Sequence, residues 1–317
     1  LQVKKINLDK IHPSPTEIQI FDEENPSLIN TSNNSIFSEP VFLQNDNGGY
    51  KIVYGFNTVS ALKKAGVKYI SAFVFDKNYQ FLDVIRYVSD FVLKSRPIWP
   101  IEIARFLQVC WQKGIPAEQK SEIFNKFSDT DLTYLREKNY LALNDLDPLL
   151  QHFLIEKKAP LKTWLMLTEL PAVCQILMQN LIAGYHPSLS IFEEIGRNLL
   201  EILRRENVQA EILLNELNWS CEQDVRADQG GKKIAELREL VLSRRFPHLT
   251  KHHRKIEKAL EAIRWPFNIK IEYDKNYEEP GYILRAHIHN VEELTQLLNF
   301  FNGPAKAKLE DLLKILG

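Results

Sequence analysis

The sequence predicts a multidomain α+β chain. It places a small α/β domain at residues 1–98, an all-helical domain at 99–220 and a small α+β domain at 232–317. Three observations lead there. Up to residue 98, short apolar runs alternate with turn residues around one glycine-bounded helix. From residue 99, apolar side chains recur at steps of three and four, the spacing of helices with one buried face. After a polar stretch at 221–233, read as a linker, two strands with alternating side chains lie between helices. A chain of 317 residues has room for two or three such units and for a core in each.

In the first domain, "KKINLDKI" reads as an edge strand and "HPSPTE" as a turn. "NPSLINTSNNSIFSE" is polar and loop-like. "EPVFLQNDNGGYKIVYG" reads as strand, turn and strand, with Asn47-Gly48-Gly49 supplying hairpin chemistry. "FNTVSALKKAG" then predicts a helix over 58–65, stopped at Gly66, and "KYISAFVF" a buried strand. No element is assigned between that strand and "RPIWP", where two prolines mark a domain boundary.

In the second domain, "IEIARFLQVCWQKG" aligns Ile101, Ala104, Leu107, Val109 and Trp111 as an apolar face and ends at Gly114, a C-cap. "PAEQKSEIFNKF" is a helix with Pro116 suited to its first turn. After "SDTD" comes the helix "DLTYLREKNYLAL". Further helices fit 147–156, 160–168, 171–183, 188–205 and 207–217. In the third domain the order is helix 233–244, helix 250–263, strand 267–274, strand 281–289, helix 290–301 and helix 304–316, with "KNYEEPGY" as the turn between the strands. Ile269, Ile271 and Tyr273 share one strand face, and Tyr282, Leu284, Ala286 and Ile288 another.

Composition narrows the function. The 44% hydrophobic and 26% charged fractions are those of an ordinary globular chain. No apolar run reaches the roughly 18 residues a membrane span needs. No signal-peptide pattern opens the sequence, which starts at Leu1. The odd, scattered cysteines Cys110, Cys174 and Cys221 suit a reducing cytoplasm. A net charge of −1 argues against a wholly basic nucleic-acid coat but allows a local basic face.

Two segments could meet a polyanion. "GIPAEQKSEIFNKFSDTDLTYLREKNYLALNDL" has the layout of a helix-turn-helix, whose second helix enters a DNA major groove. Its exposed candidates are Thr130, Thr133, Tyr134, Arg136, Lys138 and Asn139. Against Lys120, Lys126, Arg136 and Lys138 stand Glu118, Glu122, Asp129, Asp131 and Glu137. The segment therefore offers little phosphate neutralisation, and a piece of helical bundle fits it as well. "VLSRRFPHLTKHHRKIEK" is the strongest charge feature. Arg244, Arg245, Lys251, Arg254, Lys255 and Lys258 outweigh Glu257, with Phe246 among them. That suits a phosphate backbone, although solvated helices balanced by Glu272, Asp274, Glu278 and Glu279 fit too. His248 with His252, and His287 with His289, have ligand-like spacings. Zinc wants three or four ligands and no cysteine is close in sequence, so no metal site is assigned.

The order of elements resembles the ParB family of chromosome and plasmid partition proteins. "INLDKIHPSP" looks like that family's opening strand and proline turn. "SIFSEPVFLQNDNGGYKIVYGFNTVSALKKAGVKYISAFVF" follows its core, "WPIEIARFLQ" its "nPiEeA" helix, and "LALNDLDPLLQHFLIEKKAPLKTWLMLTEL" the segment after its helix-turn-helix. The likeness covers roughly residues 3 to 205 and does not reach the last domain. It implies a ParB/sulfiredoxin-like α/β domain, DNA binding through the helix-turn-helix, a nucleoid-associated place in the cytoplasm and a ParA-like ATPase as partner. A homodimer is expected through an exposed strand edge of the last domain, by analogy with partition proteins that dimerise through their tails.

The resemblance also implies CTP with magnesium, held by a "GERR" turn and an "ENxxR" motif. Only part of that carries over. Gly55 keeps its place, but Phe56-Asn57-Thr58 stand where the family has Glu-Arg-Arg. No arginine follows the proline turn, "SDFVLKSRP" lacks the second motif, and "IFSEP" keeps Pro40 and little else. Charge-assisted hydrogen bonds are worth ~1.5–3 kcal/mol each. Two lost arginines therefore remove roughly 10²- to 10⁴-fold in affinity. Gly55, Phe56, Asn57 and Thr58 are read as a degenerate nucleotide turn, able to hold a weak anion on backbone amides.

No cofactor is assigned and no catalytic residue is assigned. A sulfiredoxin-like reaction needs a cysteine at the turn. Glu17, Asp22, Glu23 and Glu39 are carboxylates without placement. The leading expectation is a non-catalytic, ParB-like DNA-binding protein. The alternatives are an enzyme of the same fold, either a nuclease or a nucleotide-dependent phosphotransferase, and an interaction module without either activity.

Overall fold

The computed structural model describes residues 1–12, 19–21, 40–46, 48–128, 130–219, 230–263, 269–273, 281–303 and 305–316. The turn at 13–18, the loop at 25–39, Asn47, the 274–280 turn and the four carboxylates Glu17, Asp22, Glu23 and Glu39 lie outside them. The chain separates into two compact units, Leu1–Ile182 and Ala183–Gly317.

The first unit opens with a five-stranded mixed sheet. Its strands are β1 (Gln2–Asn7), β2 (Ile11–His12), β3 (Val41–Asp46), β4 (Gly49–Tyr54) and β5 (Tyr69–Phe75), in the order β1-β5-β3-β4-β2. β3 runs antiparallel to β4 and parallel to β5, with Phe42 opposite Phe73. "KKINLDKI" is therefore not one strand. A 3-10 turn at Leu8–Lys10 breaks it, with Asn7 accepting from the Asp9 amide at 2.9 Å. The halves become the two opposite edges of the sheet. Gly48, at φ 91°, takes the left-handed position that the β3–β4 turn requires.

Helix α1 (Phe56–Lys64) starts two residues earlier than the sequence predicts, directly after Gly55. It covers one sheet face, where Ile6, Val41, Leu43, Ile52, Val59, Leu62 and Val74 form a core. The other face is aromatic. Phe42 stacks on Phe73 at 5.0 Å and meets Phe91 at 5.4 Å, while Phe91 lies 6.0 Å from Tyr54. Phe91 belongs to α2 (Phe81–Ser95), an element the sequence reading leaves unassigned.

The helical part follows: α3 (Pro100–Gln112), α4 (Ala117–Phe127), α5 (Tyr134–Leu141), α6 (Pro148–Glu156), α7 (Leu161–Glu169) and α8 (Ala172–Tyr185). Gly114 ends α3 in the left-handed region at φ 63°, as a C-cap glycine should. Trp111 departs from expectation: it is 73% exposed. The buried arc in the second half of α3 runs through Phe106, Leu107, Val109 and Cys110, and Trp111 falls just outside it. Where α2 gives way to α3, Arg96 and Glu102 form an ion pair at 2.6 Å with almost no solvent contact. Glu102 also accepts from the Trp99 amide at 2.7 Å, which caps α3.

The second unit holds α9 (Leu189–Glu206), α10 (Ala210–Leu217), α11 (Gly230–Arg245) and α12 (Pro247–Glu261). A two-stranded antiparallel sheet of β6 (Ile269–Tyr273) and β7 (Tyr282–Ala286) precedes α13 (Val291–Asn302) and α14 (Lys306–Leu316). Residues 230–233, expected in a linker, belong to α11 instead. Gly230 is buried against Tyr185, where an added Cβ would stand 3.6 Å from its ring. Residues 220–229 lie outside the described ones. Ile271, Tyr273 and Tyr282 pack on Ile256 of α12 and Leu312 of α14, and Ile263, Ala305 and Leu309 form a second small cluster. Ile288 lies beyond the end of β7 and is 41% exposed.

Candidate functional site

The glycine turn is built by a steric demand. Gly55 has φ 96° and ψ 31° and caps α1. A Cβ there would come within 2.9 Å of the Val41 side chain on β3, so both backbone angle and strand spacing call for glycine. Phe56 is half-buried, Asn57 exposed and Thr58 buried. The first turn of α1 carries no basic residue. Its lysines, Lys63 and Lys64, stand in the last turn, and the Lys63 Nζ donates to the Ile11 carbonyl at 2.8 Å. Beside the turn, Phe42, Tyr54 and Phe91 put aromatic rings against each other. This turn can offer backbone N–H groups to an anion but no side-chain cation from its own helix start.

One cluster here was not legible in the sequence. A cleft of about 470 Å³ runs from Phe56 past Lys51, Lys77 and Lys113. These lysines come from β4, the β5–α2 turn and the end of α3, so no local motif links them.

The helix-turn-helix candidate consists of α4, residues 128–133 and α5. Thr133 caps α5 by accepting from the Arg136 amide. Lys120 of α4 pairs with Glu137 of α5, both mostly buried. α4 is also tied to α2 by Arg86–Glu122 at 2.6 Å and Lys126–Asp90 at 3.0 Å. Of this segment's charges, Lys120 and Glu137 pair with one another, while Glu122 and Lys126 pair with α2. What reaches solvent is Thr130, Thr133, Tyr134, Arg136 and Lys138, with Asn139 half-buried. Tyr134 is 84% exposed. Arg136 donates to the Asp131 carbonyl, while Lys138 has no ion-pair partner among the described residues. Leu135, not singled out by the sequence reading, is 65% exposed between Tyr134 and Arg136. Burial raises the Tyr140 phenol pKa above its ordinary value on this helix, against the opposing charge of Arg136.

The basic segment divides into two parts. Arg244 pairs with Glu206 at 2.8 Å and Glu216 at 2.9 Å. Arg245 pairs with Glu201, donates to Asn198 and lies 4.5 Å over the Phe246 ring. With Arg238–Glu194 at 2.9 Å, these pairs fasten α11 to α9 and, through Glu216, to α10. Hydrogen bonds from Arg205, and then the charge of Arg244, hold the Glu206 carboxyl below its ordinary pKa. The other part is α12. Lys251, Arg254, Lys255 and Lys258 are all exposed, and their i, i+3, i+4, i+7 spacing places them on one helix face. Ile256 and the half-buried Leu260 face the core on the other side. None of the four basic side chains has a carboxylate partner among the described residues.

The histidines do not converge. His289 meets Glu293 at 3.2 Å, and no group of three or more His, Cys, Asp or Glu side chains among the described residues could hold a metal ion. Among these residues no helix is long and apolar enough to cross a membrane.

No family model matches the chain, and no curated protein does. Among solved structures, it is similar to the C-terminally truncated chromosome-partitioning protein ParB from Caulobacter crescentus complexed to the centromeric parS site. That match has 14% identity and a TM-score of 0.29, over 61% of this chain and 98% of that one. It is also similar to the same truncated protein complexed with CTP-gamma-S, at 16% identity and a TM-score of 0.24, over 56% of this chain and 98% of that one.

Proposed function

We propose that the chain is a ParB-like DNA-binding protein acting in DNA partition or a related plasmid or chromosome function, with a degenerate nucleotide turn. The observation that carries this reading is the row of Lys251, Arg254, Lys255 and Lys258 along the solvent face of α12. Four exposed cations on one helix face, without carboxylate partners among the described residues, make a phosphate-backbone footprint. The exposed Tyr134, Arg136 and Lys138 at α5 supply the base-reading surface that phosphate contacts alone lack. Arg244 and Arg245 act as fasteners of α11, because their guanidinium groups are already engaged by carboxylates. A ParA-like ATPase and a second copy of the chain are the protein partners this reading carries.

Anisotropy with labelled duplex DNA over a salt series tests it. Wild type should bind with affinity that falls steeply as salt rises. Lys251→Glu with Lys255→Glu should weaken binding to every sequence and reduce the log–log salt slope by about 2. Arg136→Ala with Lys138→Ala should instead erode preference between sequences. Wild-type protein that binds no duplex at low salt would end the proposal. Calorimetry with CTP and magnesium should show no micromolar binding, because the first turn of α1 lacks any cation.

A further inference from the structure

We infer that the cleft between the sheet and the ends of α2 and α3 is a binding site for a small amphipathic organic anion. Its floor is apolar and buried, formed by Ile52, Val84, Ile85 and Val109. Its rim carries Lys51, Lys77 and Lys113, and no carboxylate stands among the described residues that line it. The Lys113 ammonium lies 5.3 Å over the Phe81 ring, which also lines the cleft. Here an apolar surface and a cation meet at one spot. The exposed Lys77 and Lys113 bring two like charges to one hollow, and an anionic guest relieves their repulsion. A volume of about 470 Å³ falls in the range of small-molecule pockets.

The guest's chemistry follows from this layout. A flat aryl or acyl body covers the floor, and a phosphate or carboxylate head meets the lysine rim. The site is distinct from the glycine turn, because its cations lie on β4, the β5–α2 turn and the end of α3. Phe56 is the one residue of that turn that reaches it. The inference does not depend on DNA binding.

Fluorescence titration of the full chain with 1-naphthyl phosphate and 1-naphthoate tests it, with 1-naphthalenemethanol as the neutral control. Both anions should bind, and the alcohol should bind at least tenfold more weakly. A larger affinity for the phosphate would identify a phosphorylated guest, and a larger affinity for the carboxylate an acid. Lys77→Ala with Lys113→Ala changes only exposed side chains and leaves the floor intact. It should cost roughly tenfold or more for either anion, from the loss of charge-assisted contacts. Equal binding of the alcohol and the anions would reduce the cleft to an apolar hollow and overturn the inference. Unchanged anion affinity in the double variant, or no anion binding by wild type, would do the same.

Discussion

Gly55 and the Arg96–Glu102 pair show how single residues set the frame. Replacing Gly55 with alanine forces a Cβ into the left-handed region and against Val41. The expected cost is about 2–3 kcal/mol, read from the urea midpoint. Glu102→Gln leaves the Arg96 guanidinium buried without its carboxylate. Breaking such a pair costs about 3–5 kcal/mol, while Arg96→Met with Glu102→Leu should recover most of that, since both sites are dry. The glycine was legible in the sequence as a strand-to-helix punctuation mark. The ion pair was not, because nothing in "RPIWPIE" says that a charged arginine and glutamate turn inward together. At Cys110 burial pushes the thiol up to about 12, so the native protein should resist iodoacetamide at this residue at pH 8, as read by peptide mapping.

Helices are the scale at which charge acquires meaning. Along 241–258 the sequence presents one predominantly basic stretch, yet the fold assigns its two ends different work. Arg244 and Arg245 close α11 onto α9, while α12 turns its four cations outward. The carboxylate at Glu206 is part of the fastening and has a sign that pH can check. Its pKa is held below the ordinary 4.5, so its contribution to stability is present above that value and fades as pH falls towards its lowered folded value. Melting temperatures of wild type and Glu206→Gln should therefore differ at pH 7 and converge as pH falls below the ordinary 4.5 and through the lowered folded value. Helix α2 was also within reach of the sequence: Leu82, Ile85, Val88, Ser89 and Val92 follow helical steps and are buried. Trp111 was misread because the steps of three and four continue past the point where α3 has anything left to cover.

For the whole molecule, the exposed face of α13 is the feature that bears on assembly. Val291, Leu294 and Leu298 are 75%, 42% and 53% exposed and share one helix face at i, i+3 and i+7. The proposed homodimer is expected to cover this face. Leu294→Glu with Leu298→Glu should then shift the full chain from dimer to monomer in sedimentation velocity at micromolar concentration. A wild-type chain that sediments as a monomer at that concentration would remove the dimer.

By itself the sequence determined the succession of elements, the glycine at the α1 cap, the absence of arginines after it and the location of the basic run. All of these are local: periodicity, backbone tolerance and residue type are properties of neighbours along the chain. Only the tertiary structure decided that one opening stretch supplies both sheet edges, that two arginines are engaged while four cations face solvent, and that three distant lysines ring a single apolar cleft. Those outcomes depend on which surfaces meet, and burial and charge pairing are settled between segments that the sequence keeps far apart.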